Sequence, residues 1–160
     1  KKAGCLNPRA LFKCPHRKLA RLIKSAGYYN LKAKRLRSFF EFFFGAYSAD
    51  ISRMGRRDLK TLRRQLLEVK GIGPETADSI LLYALNKPVF VIDAYTKRML
   101  CRHHILGKDA SYEQAQDLFM RSLKNDRKLF NEYHALIVKM GKEYCRKRNP
   151  RCKECPIHGQ

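Results

Sequence analysis

Tryptophan is absent from the sequence, long apolar runs are absent too, and acidic residues are scarce. Only 14 Asp and Glu accompany 35 Lys and Arg, so the formal net charge of the 160 residues is +21. No apolar stretch approaches the ~20 residues that a membrane-spanning helix requires, and nothing at the start resembles a signal peptide. We therefore expect a protein that is not secreted and has no membrane partner.

The excess of positive charge points to a polyanionic partner. Nucleic acid is the commonest polyanion that a basic domain meets, and an anionic membrane surface is the alternative. Hydrophobic residues make up 44% of the chain, which is enough for a folded core in one or two small domains. Without tryptophan, the candidates for stacking on bases are Tyr28, Tyr29 and Tyr47, although core packing is the interpretation that we favour for them.

Apolar residues recur at helical spacing along nearly the whole chain, which predicts an all-α fold. The clearest runs lie at residues 19–26, 36–44, 59–66, 77–85 and 129–140. Ser111 followed by Gln114 predicts a capping box at the start of one further helix. The run Val89 to Ile92 resembles a strand, but since it has no evident partner strand we expect an extended connector.

Two of the predicted helices are joined by a short turn that contains Gly71 and Gly73. Both glycines can adopt positive φ and leave no Cβ in the way of a ligand, and Pro74 suits the first turn of the next helix. Free N–H groups at that helix start can bind an anion such as a DNA phosphate. A plain helical corner with a glycine C-cap is the alternative. The candidate DNA contacts are Lys70, Gly71, Ile72, Gly73 and Thr76, with Ile72 also anchoring the turn in the core.

Asp93 directly follows the apolar run Val89 to Ile92. An N-cap of the next helix is the interpretation that the residues alone favour. A carboxylate there could also stabilise developing positive charge, or orient or deprotonate a water molecule.

Three cysteines cluster near the end of the sequence with the spacing Cys145-x6-Cys152-x2-Cys155. Because no secretory signal is evident, metal binding is more plausible than disulfides, and zinc is the simplest metal. Basic residues in this loop are candidate contacts to DNA phosphates, with a solvated basic tail as the alternative: Arg146, Lys147 and Arg148.

Four stretches together resemble the endonuclease III superfamily of DNA glycosylases. They are GYYNLKAKRL at 27–36, LLEVKGIGPETADSILLYAL at 66–85, VFVIDAY at 89–95 and CRKRNPRCKECP at 145–156. They cover essentially the whole chain in the order that the family keeps. Among monofunctional members, the 3-methyladenine DNA glycosylase III type shares the most with residues 70–78 and 91–95.

The resemblance implies a helix-hairpin-helix fold in which two helical subdomains flank a cleft. Residues 1–30 would belong to the terminal-helix and cluster domain, residues 31–110 to a helical barrel domain with the hairpin at 59–85, and residues 111–160 to the C-terminal helices and cysteine loop. Since the chain lacks an initiator Met and the family begins earlier, we expect residues to be missing at both ends.

The resemblance also implies two bound inorganic groups. The family spacing C-x6-C-x2-C-x5-C binds a [4Fe–4S] cluster, and a fourth cysteine would fall just past Gln160. At the hairpin, backbone carbonyls would hold a monovalent cation beside the DNA phosphate.

The catalytic residues implied by the family are a lysine and an aspartate, of which this chain has one. Bifunctional members carry a nucleophilic lysine where this sequence has Glu75, which cannot form an imine with the sugar. Asp93 follows at the interval that the family keeps for its aspartate. We therefore expect a monofunctional glycosylase with Asp93 as the catalytic group.

The expected reaction is hydrolysis of the N-glycosidic bond of a flipped damaged base in double-stranded DNA, most plausibly an alkylated purine. The alternatives are a bifunctional glycosylase and AP lyase, and a non-catalytic DNA-binding module. We expect a monomer that works inside the cell, in the nucleoid if the source is prokaryotic.

Overall fold

The computed structural model describes residues 4–159, and within that range every regular element is helical. The prediction of an all-α fold is thereby confirmed. The chain divides into two compact units, Lys1–Gly73 and Pro74–Gln160. The division at residues 30 and 110 that the resemblance implies stays a prediction.

The first unit contains five α-helices within the described residues. They are α1 (Pro8–Lys13), α2 (His16–Leu22), α3 (Tyr29–Tyr47), α4 (Ile51–Gly55) and α5 (Leu59–Glu68), with a 3-10 turn at Lys24–Ala26. The side chains of Asn7, Asp50 and Asp58 accept hydrogen bonds from backbone N–H groups at the starts of α1, α4 and α5. Apolar spacing did not predict α1 or α4, because each is too short to repeat a helical pattern.

Helix α3 is the centre of the first unit and packs against α1, α2 and α4. Phe12 and Phe44 stack with ring centroids 4.7 Å apart. Tyr47 is only 1% exposed and donates to Gln65 Oε1, as core packing predicts. Tyr28 is 86% exposed, so the prediction that it packs in the core is wrong. Its backbone has φ +47°, which ends the preceding turn and projects the residue from the start of α3.

The second unit contains four α-helices within the described residues. They are α6 (Pro74–Ser79), α7 (Ala94–Arg102), α8 (Tyr112–Ser122) and α9 (Arg127–Glu143), with a 3-10 turn at Cys152–Glu154. Helix α6 continues into a π-helical turn at Ile80–Ala84. The capping box at Ser111 and Gln114 is confirmed. Val89 to Ile92 form a buried extended connector, as expected.

Helices α7 and α9 pack closely in the second unit because α9 carries a glycine at their contact. A Cβ at Gly141 would lie 2.4 Å from Cδ1 of Tyr95, so any larger residue would displace the ring. The Arg98 guanidinium lies over the Tyr95 ring, 5.0 Å from its centroid, and donates to Gly141 O at 3.2 Å. This contact holds α7, which Asp93 caps, against α9, which carries His134.

Candidate active site

Asp93 caps α7 with one of its two carboxylate oxygens. Its Oδ1 accepts from the Thr96 backbone N–H at 2.8 Å and from the Thr96 hydroxyl at 2.9 Å. The N-cap that the sequence predicted is therefore present. It engages Oδ1 and leaves Oδ2 for another role.

The second carboxylate oxygen of Asp93 faces a histidine from α9. His134 Nε2 lies 3.6 Å from Asp93 Oδ2, and the two side chains are 9% and 12% exposed. The other ring nitrogen, His134 Nδ1, shares a hydrogen bond with the hydroxyl of Tyr83 in the π-helical turn. A chain of polar groups thus runs from Tyr83 through His134 to Asp93.

The connector that leads into Asp93 is held by a buried acid. Asp78 on α6 is 0% exposed, and its Oδ2 accepts from Tyr112 Oη and from Gln116 Nε2, both at 2.8 Å. Gln116 also donates to the carbonyl of Phe90 at 2.6 Å, and Tyr112 Oη accepts from Ile92 N at 3.3 Å. Tyr112 and Gln116 of α8 therefore link Asp78 to residues 89–92 and fix the position of Asp93, which follows them.

The surroundings of Asp93 favour its ionised form. Burial acts to raise the pKa of Asp93, but the nearby His134 imidazole and the hydrogen bonds from Thr96 outweigh it, and the pKa is lowered from the ordinary value. Burial raises the pKa of Glu75, and the Asp93 charge raises it further. The same two causes raise the pKa of Tyr83. Of these three groups, Asp93 is therefore the one whose surroundings favour the negatively charged form.

The glycine turn differs in detail from the prediction. Gly71 has φ +89°, and a Cβ there would lie 2.3 Å from Cγ of Arg35, so Arg35 occupies the space expected for a ligand. Gly73 does not use the positive φ that glycine allows, but it has no atom within 4 Å of its Cβ position and is open. Ile72 is buried, and its N–H donates to Val69 O at 3.0 Å. Two other candidate DNA contacts are exposed: Lys70 and Thr76.

The three cysteines of the terminal loop line one cavity of about 210 Å³, together with Arg102, Tyr144 and His158. Within residues 4–159, no group of three or more His, Cys, Asp or Glu side chains is placed to hold a metal ion. Cys145, Cys152 and Cys155 form no disulfide in the described part of the chain, so the disulfide alternative finds no support at this loop.

Two arginines of α7 hold the loop that begins at Cys145. Arg98 donates from Nε to Cys145 O at 2.7 Å. Arg102 donates from Nη1 to the Cys145 sulfur at 3.3 Å and to Arg146 O at 2.7 Å, and from Nη2 to Lys147 O at 3.2 Å. The candidate phosphate contacts of the loop are exposed: Arg146, Lys147 and Arg148.

No helix in the described part of the chain is long and apolar enough to cross a bilayer.

The sequence did not single out His134, which faces Asp93, or Tyr83, which contacts His134. A polar residue on the apolar stripe of α9 was the available clue, since the buried positions of that helix are Phe130, His134, Ile137 and Gly141. Leu136, which the apolar pattern had grouped with the core, is 54% exposed.

Comparison with solved structures identifies the architecture. The chain superimposes on endonuclease III in a non-covalent complex with DNA with a TM-score of 0.78 at 22% identity, covering 94% of this chain and 66% of that one. It also resembles a Helicobacter pylori 3-methyladenine DNA glycosylase bound to 1,N6-ethenoadenine, with a TM-score of 0.70 at 26% identity over 87% and 68% of the two chains. The fold is that of the helix-hairpin-helix DNA glycosylases.

Sequence comparison then places the chain in a family. Residues 1–125 match the model of the HhH-GPD superfamily base excision DNA repair proteins, and the chain belongs to that family. A Methanocaldococcus jannaschii protein named "Putative DNA repair glycosylase MJ1434" is 46% identical over 142 residues, which cover 88% of this chain. The chain spans 64% of that relative's length.

Proposed function

We propose that the protein is a monofunctional DNA N-glycosylase of base excision repair, with Asp93 as its catalytic group. The observation that carries this proposal is the state of the Asp93 carboxylate. Oδ1 is engaged by the helix cap, Oδ2 faces His134, and the lowered pKa keeps the group ionised. Family membership supports the reaction class.

The chemistry proposed for Asp93 is electrostatic. When the bond between the sugar C1′ and the base nitrogen breaks, its electron pair leaves with the base and positive charge develops on the sugar. An ionised carboxylate stabilises that charge and can orient the water whose oxygen then bonds to C1′. The proton released from the water passes to solvent, and the products are a free base and an abasic site. Glu75 stands where an amine would be needed to cut the strand.

An alkylated purine is the substrate that this site suits best. Such a base is already cationic and leaves as a neutral molecule, so no strong acid is needed to protonate it. Glu75 lies close enough to Asp93 for the two groups to interact, and an acidic neighbour of Asp93 favours a cationic transition state. The likeness to a solved 3-methyladenine DNA glycosylase supports this substrate class.

Double-stranded DNA is the proposed partner, bound through its phosphates. The net charge of +21 favours a polyanion, and exposed cations flank both proposed contact regions. At the glycine turn these contacts are Lys70, the open Gly73 and Thr76, with a monovalent cation on the backbone carbonyls. In the terminal loop they are Arg146, Lys147 and Arg148.

The cysteine loop fits a [4Fe–4S] cluster in its donor chemistry. Cys145, Cys152 and Cys155 line one cavity, and Arg102 donates to the Cys145 sulfur as it would to a thiolate ligand. A cluster held by these cysteines would cross-link the loop and present its basic residues to the DNA backbone.

Chromatography of bases released from a panel of damaged duplexes tests this proposal. We expect free alkylated purine from the full-length protein and no adduct after borohydride treatment, because Glu75 cannot form an imine. Glu75→Lys is the matched control, since a lysine there should produce a trapped adduct. An adduct with the unaltered protein would support the bifunctional alternative, and tight salt-dependent binding without base release would support a DNA-binding module.

A further inference from the structure

His134 is a buried polar residue on the apolar face of α9. It is 7% exposed, and the Phe90 ring approaches its imidazole edge-on with centroids 6.3 Å apart. Among the described residues, its Nε2 has no partner within hydrogen-bond distance and the Asp93 carboxylate stands 3.6 Å away. A buried ring nitrogen without a hydrogen-bond partner destabilises the folded protein unless it interacts with the neighbouring charge.

The neighbours of His134 determine which ring nitrogen carries the proton. If Nε2 presented its lone pair to the carboxylate, the two groups would repel. With the proton on Nε2, the ring donates towards Asp93 Oδ2 and Nδ1 is left as an acceptor. The Tyr83 hydroxyl is placed to donate to that Nδ1. Each group in the chain then has a compatible role.

We propose that His134 is a positioning residue for Asp93, and that Tyr83 sets its tautomer by donating to Nδ1. This inference rests on the proposed function of the Asp93 site. Thr96 holds Oδ1 by hydrogen bonds and the His134 imidazole faces Oδ2 at 3.6 Å, so both oxygens of the carboxylate meet a polar group. His134 acts on the rate of base release through Asp93 and touches no substrate.

The charged and titratable groups that face His134 come from three elements of the second unit. Asp93 approaches from the start of α7, Glu75 acts from α6, and the Tyr83 hydroxyl approaches from the π-helical turn. The position of the Tyr83 hydroxyl depends on the π-helical turn, because such turns reorient side chains and are frequent at functional sites. Tyr83 is 46% exposed, so its hydroxyl connects the buried pair with solvent.

Nuclear magnetic resonance tests the pair without reference to activity. In the full-length protein with 15N-labelled histidine, we expect long-range 1H–15N correlations of His134 to show the Nε2–H tautomer at neutral pH. Tyr83→Phe, which keeps the ring and removes the hydroxyl, should produce a mixture of tautomers. An Nδ1–H tautomer in the unaltered protein, or an unchanged spectrum in Tyr83→Phe, would overturn the proposal.

Base release as a function of pH tests the role in catalysis. His134→Phe should lower the single-turnover rate about tenfold, the equivalent of one hydrogen bond to a charged group, with DNA affinity unchanged. The acid limb of the pH–rate profile of His134→Phe should move to higher pH, because burial then raises the pKa of Asp93 without the opposing effect of the imidazole. His134→Gln, which keeps a donor, should recover most of the rate.

Four outcomes of the rate and affinity measurements would count against the proposals. Equal losses in His134→Phe and His134→Gln, or an acid limb that stays in place, would show that His134 only fills space. A loss of DNA affinity instead of rate would also overturn the positioning role. If the unaltered protein releases no base from any duplex, the proposed function fails, and the resonance experiment still decides the geometry of the pair.

Discussion

Two aspartates of the second unit show how different surroundings give the same side chain different tasks. Asp78 is wholly buried, and Tyr112 and Gln116 donate to the same one of its oxygens. Asp93 is bound at one oxygen by Thr96, while the other faces a histidine at 3.6 Å. Asp78 is enclosed by the fold and stabilises it, whereas Asp93 keeps an oxygen free of the fold's own hydrogen bonds.

One aspartate can therefore act both as a helix cap and as a reactive carboxylate. The cap needs a single acceptor oxygen, and it supplies the rigidity that a second role requires. Asp78 contributes to the same site indirectly, since its two donors also hold the connector that ends at Asp93.

The largest effect on stability is expected at Asp78. Asp78→Ala removes a fully buried acceptor that takes hydrogen bonds from the half-buried Tyr112 and Gln116, so we expect a loss of about 3 kcal/mol in the free energy of unfolding. Urea denaturation measures it. Asp78→Asn is the matched control and should lose less, because its carbonyl oxygen still accepts. An unchanged midpoint in Asp78→Ala would show that this acid does not secure the connector.

The contact between α7 and α9 is the next test. A Cβ at Gly141 would meet the Tyr95 ring at 2.4 Å, so Gly141→Ala should destabilise the protein by about 1–3 kcal/mol. Gly45→Ala is the control of opposite sign. Gly45 lies inside α3 with no atom within 4 Å of its Cβ position, and alanine there should stabilise the helix by about 0.5–1 kcal/mol. Thermal denaturation distinguishes the two.

The helices and the surroundings of Asp93 differ in how much of them the sequence alone could predict. The helices α2, α3, α5 to α9 and the capping box at Ser111 follow from apolar spacing and local hydrogen bonding. The π-helical turn does not, because apolar spacing does not separate it from an ordinary helical turn. The family resemblance identified Asp93, but neither its capping oxygen nor its histidine could be assigned.

The meeting of Tyr83, Asp93 and His134 is a property of tertiary packing. His134 is distant in sequence from the other two residues, and the close packing at Gly141 and the π-helical turn bring the three together through contacts that no local pattern encodes. The packing of Arg35 from another helix against Gly71 is likewise a tertiary contact that the sequence around the turn does not encode.

A smaller effect is expected when the cap loses its side-chain donor. Thr96→Val keeps the shape of the side chain and removes its hydrogen bond to Asp93 Oδ1, which should cost about 1 kcal/mol of unfolding free energy. The pKa of Asp93 should rise, because one of the donors that lower it is gone. Titration of the Asp93 carboxyl by 13C resonance measures this. A fixed pKa would mean that Thr96 has no influence on the charge of the site.

The smallest predicted effect is on the pH dependence of stability. The pKa of Asp93 is lowered in the folded protein, so its contribution is fully present above the ordinary aspartate value of about 4 and is lost as the pH falls through the folded pKa. Unfolding between pH 2 and pH 6 should therefore show a steeper acid decline in the unaltered protein than in Asp93→Asn. Parallel curves would contradict the assigned ionisation.

Base release by Asp93→Asn is the most direct test of the central claim, that the carboxylate free of the cap drives the chemistry. Asparagine is a good N-cap, so the variant should fold and bind DNA as before. The account predicts that release of alkylated purine from duplex DNA, followed by chromatography, falls about a thousandfold. A rate within a few-fold of that of the unaltered protein would contradict it.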